Sequence, residues 1–232
     1  MNLASFAGLH KKMYRWITRK ESNNIEKATQ STNETFKYCE NGLDYPMFSH
    51  NFNCGYPGSP RSERAIELAL ADYWLQNLIS VCEIGAVTPY YWPRRISHII
   101  DPSDKHPLVT HKGSLFDYNF KNSNVLSIST LEHVGLNDYG LTEGKSAVDA
   151  LLKVTTECST CLITLPIGWN DELDKFLFSM DYNALFKLTF LKRTNKHGWV
   201  IAKSSQAYAK YGLPLSYWAN SLAVIEIGSI LI

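Results

Sequence analysis

The sequence predicts an α/β fold: an open, mostly parallel seven-stranded sheet with helices on both faces, preceded by an N-terminal helical extension. Three observations lead there. From about residue 62 onward, short apolar runs alternate with stretches of helical periodicity, the pattern of strands covered on both sides by crossover helices. Glycine, proline and acidic residues punctuate the C-terminal ends of those runs. The stretch from there to residue 232 is long enough for about seven strands around one core.

Bulk composition narrows the class. A chain of 232 residues with 45% hydrophobic and 19% charged residues is ordinary globular material. Its formal net charge of +1 argues against wholesale nucleic-acid binding, which needs a basic excess. No apolar run approaches the ~18 residues of a membrane span, and the N-terminus lacks the apolar core of a secretory signal. A cytoplasmic protein is expected. Of five cysteines, only Cys158 and Cys161 are spaced as CxxC, with no second pair or paired histidines to complete a zinc site. They read as reduced thiols, and no metal is expected.

The elements follow in order. Phe6, Leu9, Met13, Trp16 and Ile17 recur at helical spacing within residues 3–20, opposite a basic face of Lys11, Lys12, Arg15, Arg19 and Lys20. That face suits the anionic inner surface of a membrane, a protein partner, or the chain's own domain. The polar stretch 21–35 reads as a linker, so residues 1–35 form one unit and 36–232 the main domain. Ser59-Pro60 is a helix start, and Ile66, Ala69, Leu70, Tyr73 and Trp74 are its buried face. Strands are expected at Leu78–Ile84, His98–Ile100, Val125–Ile128, Cys161–Leu165, Phe186–Leu191 and Ala223–Leu231. A helix presenting Val148, Leu151, Leu152 and Thr155 precedes the fourth of these.

In such sheets ligands bind beyond the carboxyl ends of the strands, where strand order reverses. The first strand ends in Glu83-Ile-Gly85, and the second in Asp101, 18 positions beyond Glu83. A glycine turn followed at that interval by an acid suits a nucleoside ligand, with the backbone close to it and the carboxylate accepting from ribose hydroxyls. Lys112–Tyr118 falls where an adenine loop belongs. No P-loop, nucleophile elbow or H-E-x-x-H is present.

The string Ser127-Ile-Ser-Thr-Leu-Glu-His-Val-Gly135 resembles the segment after the fourth strand of class I S-adenosylmethionine (SAM)-dependent methyltransferases, a Rossmann-like fold. Ser62-Glu-Arg-Ala-Ile-Glu67, Glu83-Ile-Gly-Ala-Val87 and Thr164-Leu-Pro-Ile-Gly-Trp-Asn170 are similar to a bacterial and archaeal subgroup associated with glycan biosynthesis. Carried over by position, the resemblance implies Glu83 and Gly85 near the methionine part of SAM, Asp101 on its ribose, Ser114 or Asp117 at the adenine, and Thr130 and Leu131 along its edge. It implies O-methylation of a sugar of a surface polysaccharide or its precursor, with S-adenosylhomocysteine as product. His133, with Glu132 beside it, suits the general base for a hydroxyl acceptor. Trp169 and Asn170 suit a sugar, one by stacking and the other by hydrogen bonding. Only one glycine stands where this fold usually has more, so a non-catalytic methyltransferase-like binding module and an enzyme on another nucleotide such as NAD are the alternatives.

Overall fold

The computed structural model describes residues 30–37, 44–49, 62–76, 78–92, 96–138, 144–179, 185–195, 198–212 and 218–228. The basic helix expected over 3–20, the Ser59-Pro60 start and the end of the last expected strand lie outside them. Strand β1 (Gln30–Lys37) pairs antiparallel with β2 (Asp44–Ser49) as a separate two-stranded ribbon, and β2 lies against the first described helix, α1 (Arg64–Leu75). Residues 30–35, expected as linker, are thus strand; the polar sequence there has no apolar alternation to announce one.

The main sheet has seven strands: β3 (Cys82–Ile84), β4 (His98–Ile100), β5 (Asn124–Ile128), β6 (Thr160–Pro166), β7 (Lys187–Arg193), β8 (Trp199–Ala202) and β9 (Ser221–Ile227). Their order across the sheet is β4-β3-β5-β6-β9-β7-β8. The sheet is mixed. β4, β3, β5 and β6 are joined by parallel pairings, whereas β9 runs against both β6 and β7, and β8 against β7. Strand direction is invisible in an apolar run such as Ser221–Ile227, which is buried on both faces whichever way it runs. The β7–β9 register also sets Lys187 opposite Glu226, whose charged groups approach to 3.5 Å.

Alternation along the strands feeds two cores. Leu126, Ile128, Leu162, Leu222 and Val224 face α1, where Leu70 and Trp74 are buried. Val125, Cys161, Ile163, Leu165 and Ile225 face α2 (Ala147–Glu157) and α3 (Asp171–Ser179) through Leu151, Val154, Leu173 and Leu177. Helices therefore cover both faces. A reciprocal capping box fixes the start of α2: Ser146 Oγ accepts from Asp149 N, and the Asp149 carboxylate accepts from Ser146 N. A fourth helix, α4 (Ser204–Ala207), is a single short turn beside β7.

Two expected elements shift. The first strand starts at Cys82 rather than Leu78, because Leu78 belongs to the exit of α1 and Ile79 is fully exposed. The buried face of α2 is carried by Ala147, Ala150, Leu151, Val154 and Thr155, while Val148 and Leu152 are only half-buried. No helix among the described residues is long and apolar enough to cross a membrane.

Candidate functional site

β3 is flanked by β4 on one side and β5 on the other, while the chain visits them in the order β3, β4, β5. Their carboxyl ends therefore diverge around β3, and the loops that follow the three strands meet there. Gly85 turns the chain out of β3 with φ +84°, a conformation costly for any residue with a Cβ. Its N–H donates to the Ile100 carbonyl at 2.9 Å, and the Ala86 N–H donates to Asp101 Oδ2 at 2.9 Å. Asp101 Oδ1 accepts from Ser103 N at 2.9 Å and Asp104 N at 2.8 Å, closing an Asx turn. One carboxylate thereby ties the glycine loop to the loop after β4.

The third loop supplies Thr130. A Cβ on Gly85 would lie 2.2 Å from Thr130 Oγ1 and 2.6 Å from Cγ2, so the side chain of Thr130 sits directly over the glycine. The preceding Ser129 holds a left-handed conformation, φ +43°, rare for a non-glycine residue. It is held there because its N–H donates to the Thr164 carbonyl and its hydroxyl to Glu67 Oε1. Glu67 also accepts from Thr164 Oγ1 at 2.8 Å, so this carboxylate of α1 ties the ends of β5 and β6 together.

Acidic groups concentrate under these loops. Glu83 is fully buried and turns back on its own loop, accepting from Thr88 N at 2.8 Å and from Thr88 Oγ1. Burial pushes its carboxyl up to about 8 against the opposing pull of those Thr88 bonds. Burial likewise raises Glu63 to about 7, helped by the Glu67 charge, and lifts Glu132 well above the carboxylate range. The Arg64 guanidinium opposes all three shifts, and its Nη1 lies 3.5 Å from Glu67 Oε2. Glu132 Oε2 is buried with no hydrogen-bond partner.

Next to Glu132, the loop after β5 carries His133. Its Nδ1 lies 2.8 Å from Asp138 Oδ2, and its Nε2 lies 3.6 Å from Glu132 Oε1. The Trp169 indole, from the loop after β6, donates to the same Asp138 oxygen at 3.2 Å. The Trp169 ring meets the imidazole nearly edge-on at 5.2 Å and Tyr211 at 4.8 Å. Asn170 is the N-cap of α3: its Oδ1 accepts from Glu172 N and Leu173 N, each at 3.1 Å, while its amide donates to the Glu132 carbonyl at 2.9 Å.

The structure thus brings Glu83, Gly85, Asp101, Thr130, Glu132, His133, Trp169 and Asn170 to the same edge of the sheet. Leu131 is wholly buried in the core against α2. Ser114 caps a 3-10 turn at Leu115–Asp117, accepting from Phe116 N at 3.1 Å, and Asp117 is exposed on that turn. The thiols of Cys158 and Cys161 engage each other, which lowers the first and raises the second, at the opposite end of β6. Among the described residues no group of three His, Cys, Asp or Glu is arranged to hold a metal ion.

Sequence reasoning missed Glu63, Arg64 and Glu67 as site residues, although the i, i+4 glutamates of Ser62–Glu67 were a visible signal. It also missed Asp138 and Tyr211, which reach His133 and Trp169 through loops with no fixed spacing.

No family model matches the sequence, and no curated protein matches it. Among solved structures, the chain is similar to one described as "Structure of the Pnkp1/Rnl/Hen1 RNA repair complex", at 14% identity with a TM-score of 0.41. That likeness covers 98% of this chain and 48% of the other, so this chain spans about half the other's length. A likeness so weak carries no argument about function.

Proposed function

We propose that the chain is a Rossmann-like SAM-dependent methyltransferase acting on a sugar hydroxyl. The observation that carries this reading is the junction of Gly85, Asp101 and Thr130 at the strand-order switch. A glycine turn, a carboxylate on the neighbouring strand end and a third loop meet where an α/β sheet takes a nucleoside ligand. The charge of the site fits SAM as well. Its sulfonium and α-amino groups are cations, and the buried carboxyl groups of Glu67, Glu83 and Glu132 lie under the loops with Arg64 as counter-charge. A cation arriving there stabilises the ionised forms of Glu83 and Glu132.

Bound at this junction, SAM supplies a methyl group already activated as a sulfonium. The chain's own residues then have these roles: Asp101 accepts from the ribose hydroxyls, Ser114 or Asp117 meets the adenine, Thr130 borders its edge, and Glu83 and Gly85 shape the methionine end. His133 takes the proton of the acceptor hydroxyl, with Glu132 beside its Nε2. Trp169 borders the acceptor, while Asn170 holds the loop as the N-cap of α3. That the acceptor is a sugar rests on the family resemblance, an argument by association.

One observation favours a second reading, a methyltransferase-like binding module without turnover. Thr130 covers the open side of Gly85, and Glu83 spends its oxygens on Thr88, so the glycine loop is closed on itself. Incubation with methyl-labelled SAM and a panel of nucleotide sugars and glycans separates the two. Label passing to an acceptor, and lost in His133→Ala, supports the enzyme. SAM binding without label transfer to any acceptor supports the module.

A further inference from the structure

The geometry points to Asp138 as the residue that fixes the tautomer of His133, so that Nε2 is the proton-accepting nitrogen. This deepens the role proposed above for His133 and rests on that reading for its place in methyl transfer. The Asp138 side chain is 5% exposed. An ionised carboxylate only accepts hydrogen bonds. Asp138 Oδ2 lies 2.8 Å from His133 Nδ1 and accepts the Trp169 indole proton at 3.2 Å. A neutral imidazole has one N–H, and the contact with Oδ2 requires it at Nδ1. The lone pair is then on Nε2, the nitrogen nearest Glu132 Oε1. Proton uptake at Nε2 gives an imidazolium between two carboxyl groups, with its orientation already set. Trp169 has a second role in this arrangement: its N–H, donated from a different loop, holds the Asp138 carboxylate in register with the imidazole.

The arrangement explains a feature of the sequence. Asp138 follows His133 by five residues across Gly135, φ +81°, and Asn137, φ +55°. Two left-handed residues in so short a stretch fold the chain back, and this returns the carboxylate to the ring.

The test uses the full chain with no ligand. Long-range imidazole ¹H–¹⁵N spectra at pH 8 report the tautomer of His133, assigned by its loss in His133→Ala. The rate of carbethoxylation by diethylpyrocarbonate, mapped to His133, reports the nucleophilicity of its unprotonated nitrogen. Wild type and Asp138→Glu should show the Nδ1–H form. Asp138→Leu should revert to the Nε2–H form or a mixture, and modification at Nε2 should slow by about tenfold, well below the ~10⁴-fold loss in kcat that the wrong tautomer causes in a serine protease. If Asp138→Leu fails to fold, Asp138→Asn removes the charge in the same shape and should slow the modification. A folded Asp138→Leu with an unchanged Nδ1–H form and rate, or an unchanged rate in Asp138→Asn, overturns the inference. Neither readout requires SAM. SAM titrated in parallel therefore fails on its own if the methyltransferase reading is wrong, while the tautomer result stands.

Discussion

Replacing Gly85 by alanine puts a methyl group where Thr130 already is. The backbone there has φ +84°, and the left-handed conformation costs a residue with a Cβ ~1–2 kcal/mol. The new Cβ would also lie 2.2, 2.6 and 2.9 Å from Thr130 Oγ1, Cγ2 and Cβ, so the threonine or its loop must move. Overpacking of this kind costs ~1–3 kcal/mol. Gly85→Ala should therefore destabilise by about 2–5 kcal/mol in urea denaturation, a fall in Tm of roughly 5–15 °C for a chain of this size. The two contributions separate in a double-mutant cycle. Thr130→Gly removes all three clashing atoms, so Gly85→Ala in that background should retain only the backbone cost, a coupling of about 1–3 kcal/mol. A cost below ~1 kcal/mol for Gly85→Ala, or no coupling with Thr130→Gly, would refute the close approach of these two loops.

Other expectations follow from the same site. Glu83 at about 8 and Glu63 at about 7 bind protons more tightly folded than unfolded, where both sit near 4.5. Their contribution to stability is thus full below about pH 4.5 and is lost as pH rises through 7 and 8. Tm should fall between pH 6 and pH 9, and Glu83→Gln should flatten that fall; an identical pH slope in both proteins would count against the buried acid. Asn170→Ala loses a helix cap and a buried bond to the Glu132 carbonyl, together about 2 kcal/mol by denaturation; a change under 0.5 kcal/mol would contradict that role. His133→Ala, still folded, should abolish most methyl transfer to an acceptor hydroxyl, and full turnover would remove it as base.

Much of this architecture was legible because its strands are short, apolar and bounded. His98–Ile100 is stopped by Asp101-Pro102, and the observed strand has those limits. Leu78–Ile84 was misread because an apolar run looks the same at a helix exit as in a strand; only the exposure of Ile79 tells them apart. β8 was missed because Trp199–Ala202 is a brief edge strand whose Val200 and Ile201 are exposed. The 18-residue interval from Glu83 to Asp101 singles out the two loops that the Ala86 N–H joins to the Asp101 carboxylate, because it spans one strand-to-strand crossover. Asn170 was placed in the right loop, but the Asp and Glu after it already marked a helix N-cap. Asp138 carried no signal, since its contact with His133 depends on two left-handed residues that only the folded loop reveals.

The proposed methyltransferase activity requires the junction of β3, β4 and β5 to take SAM, with Asp101 on the ribose. Calorimetric titration of S-adenosylhomocysteine into wild type and Asp101→Asn tests it directly. Loss of a charge-assisted hydrogen bond is worth ~1.5–3 kcal/mol, or about 10- to 100-fold in Kd. Wild type should bind in the micromolar range, and a folded Asp101→Asn should bind more weakly by that order. No binding to the folded wild type, or equal affinity in the two proteins, would contradict it.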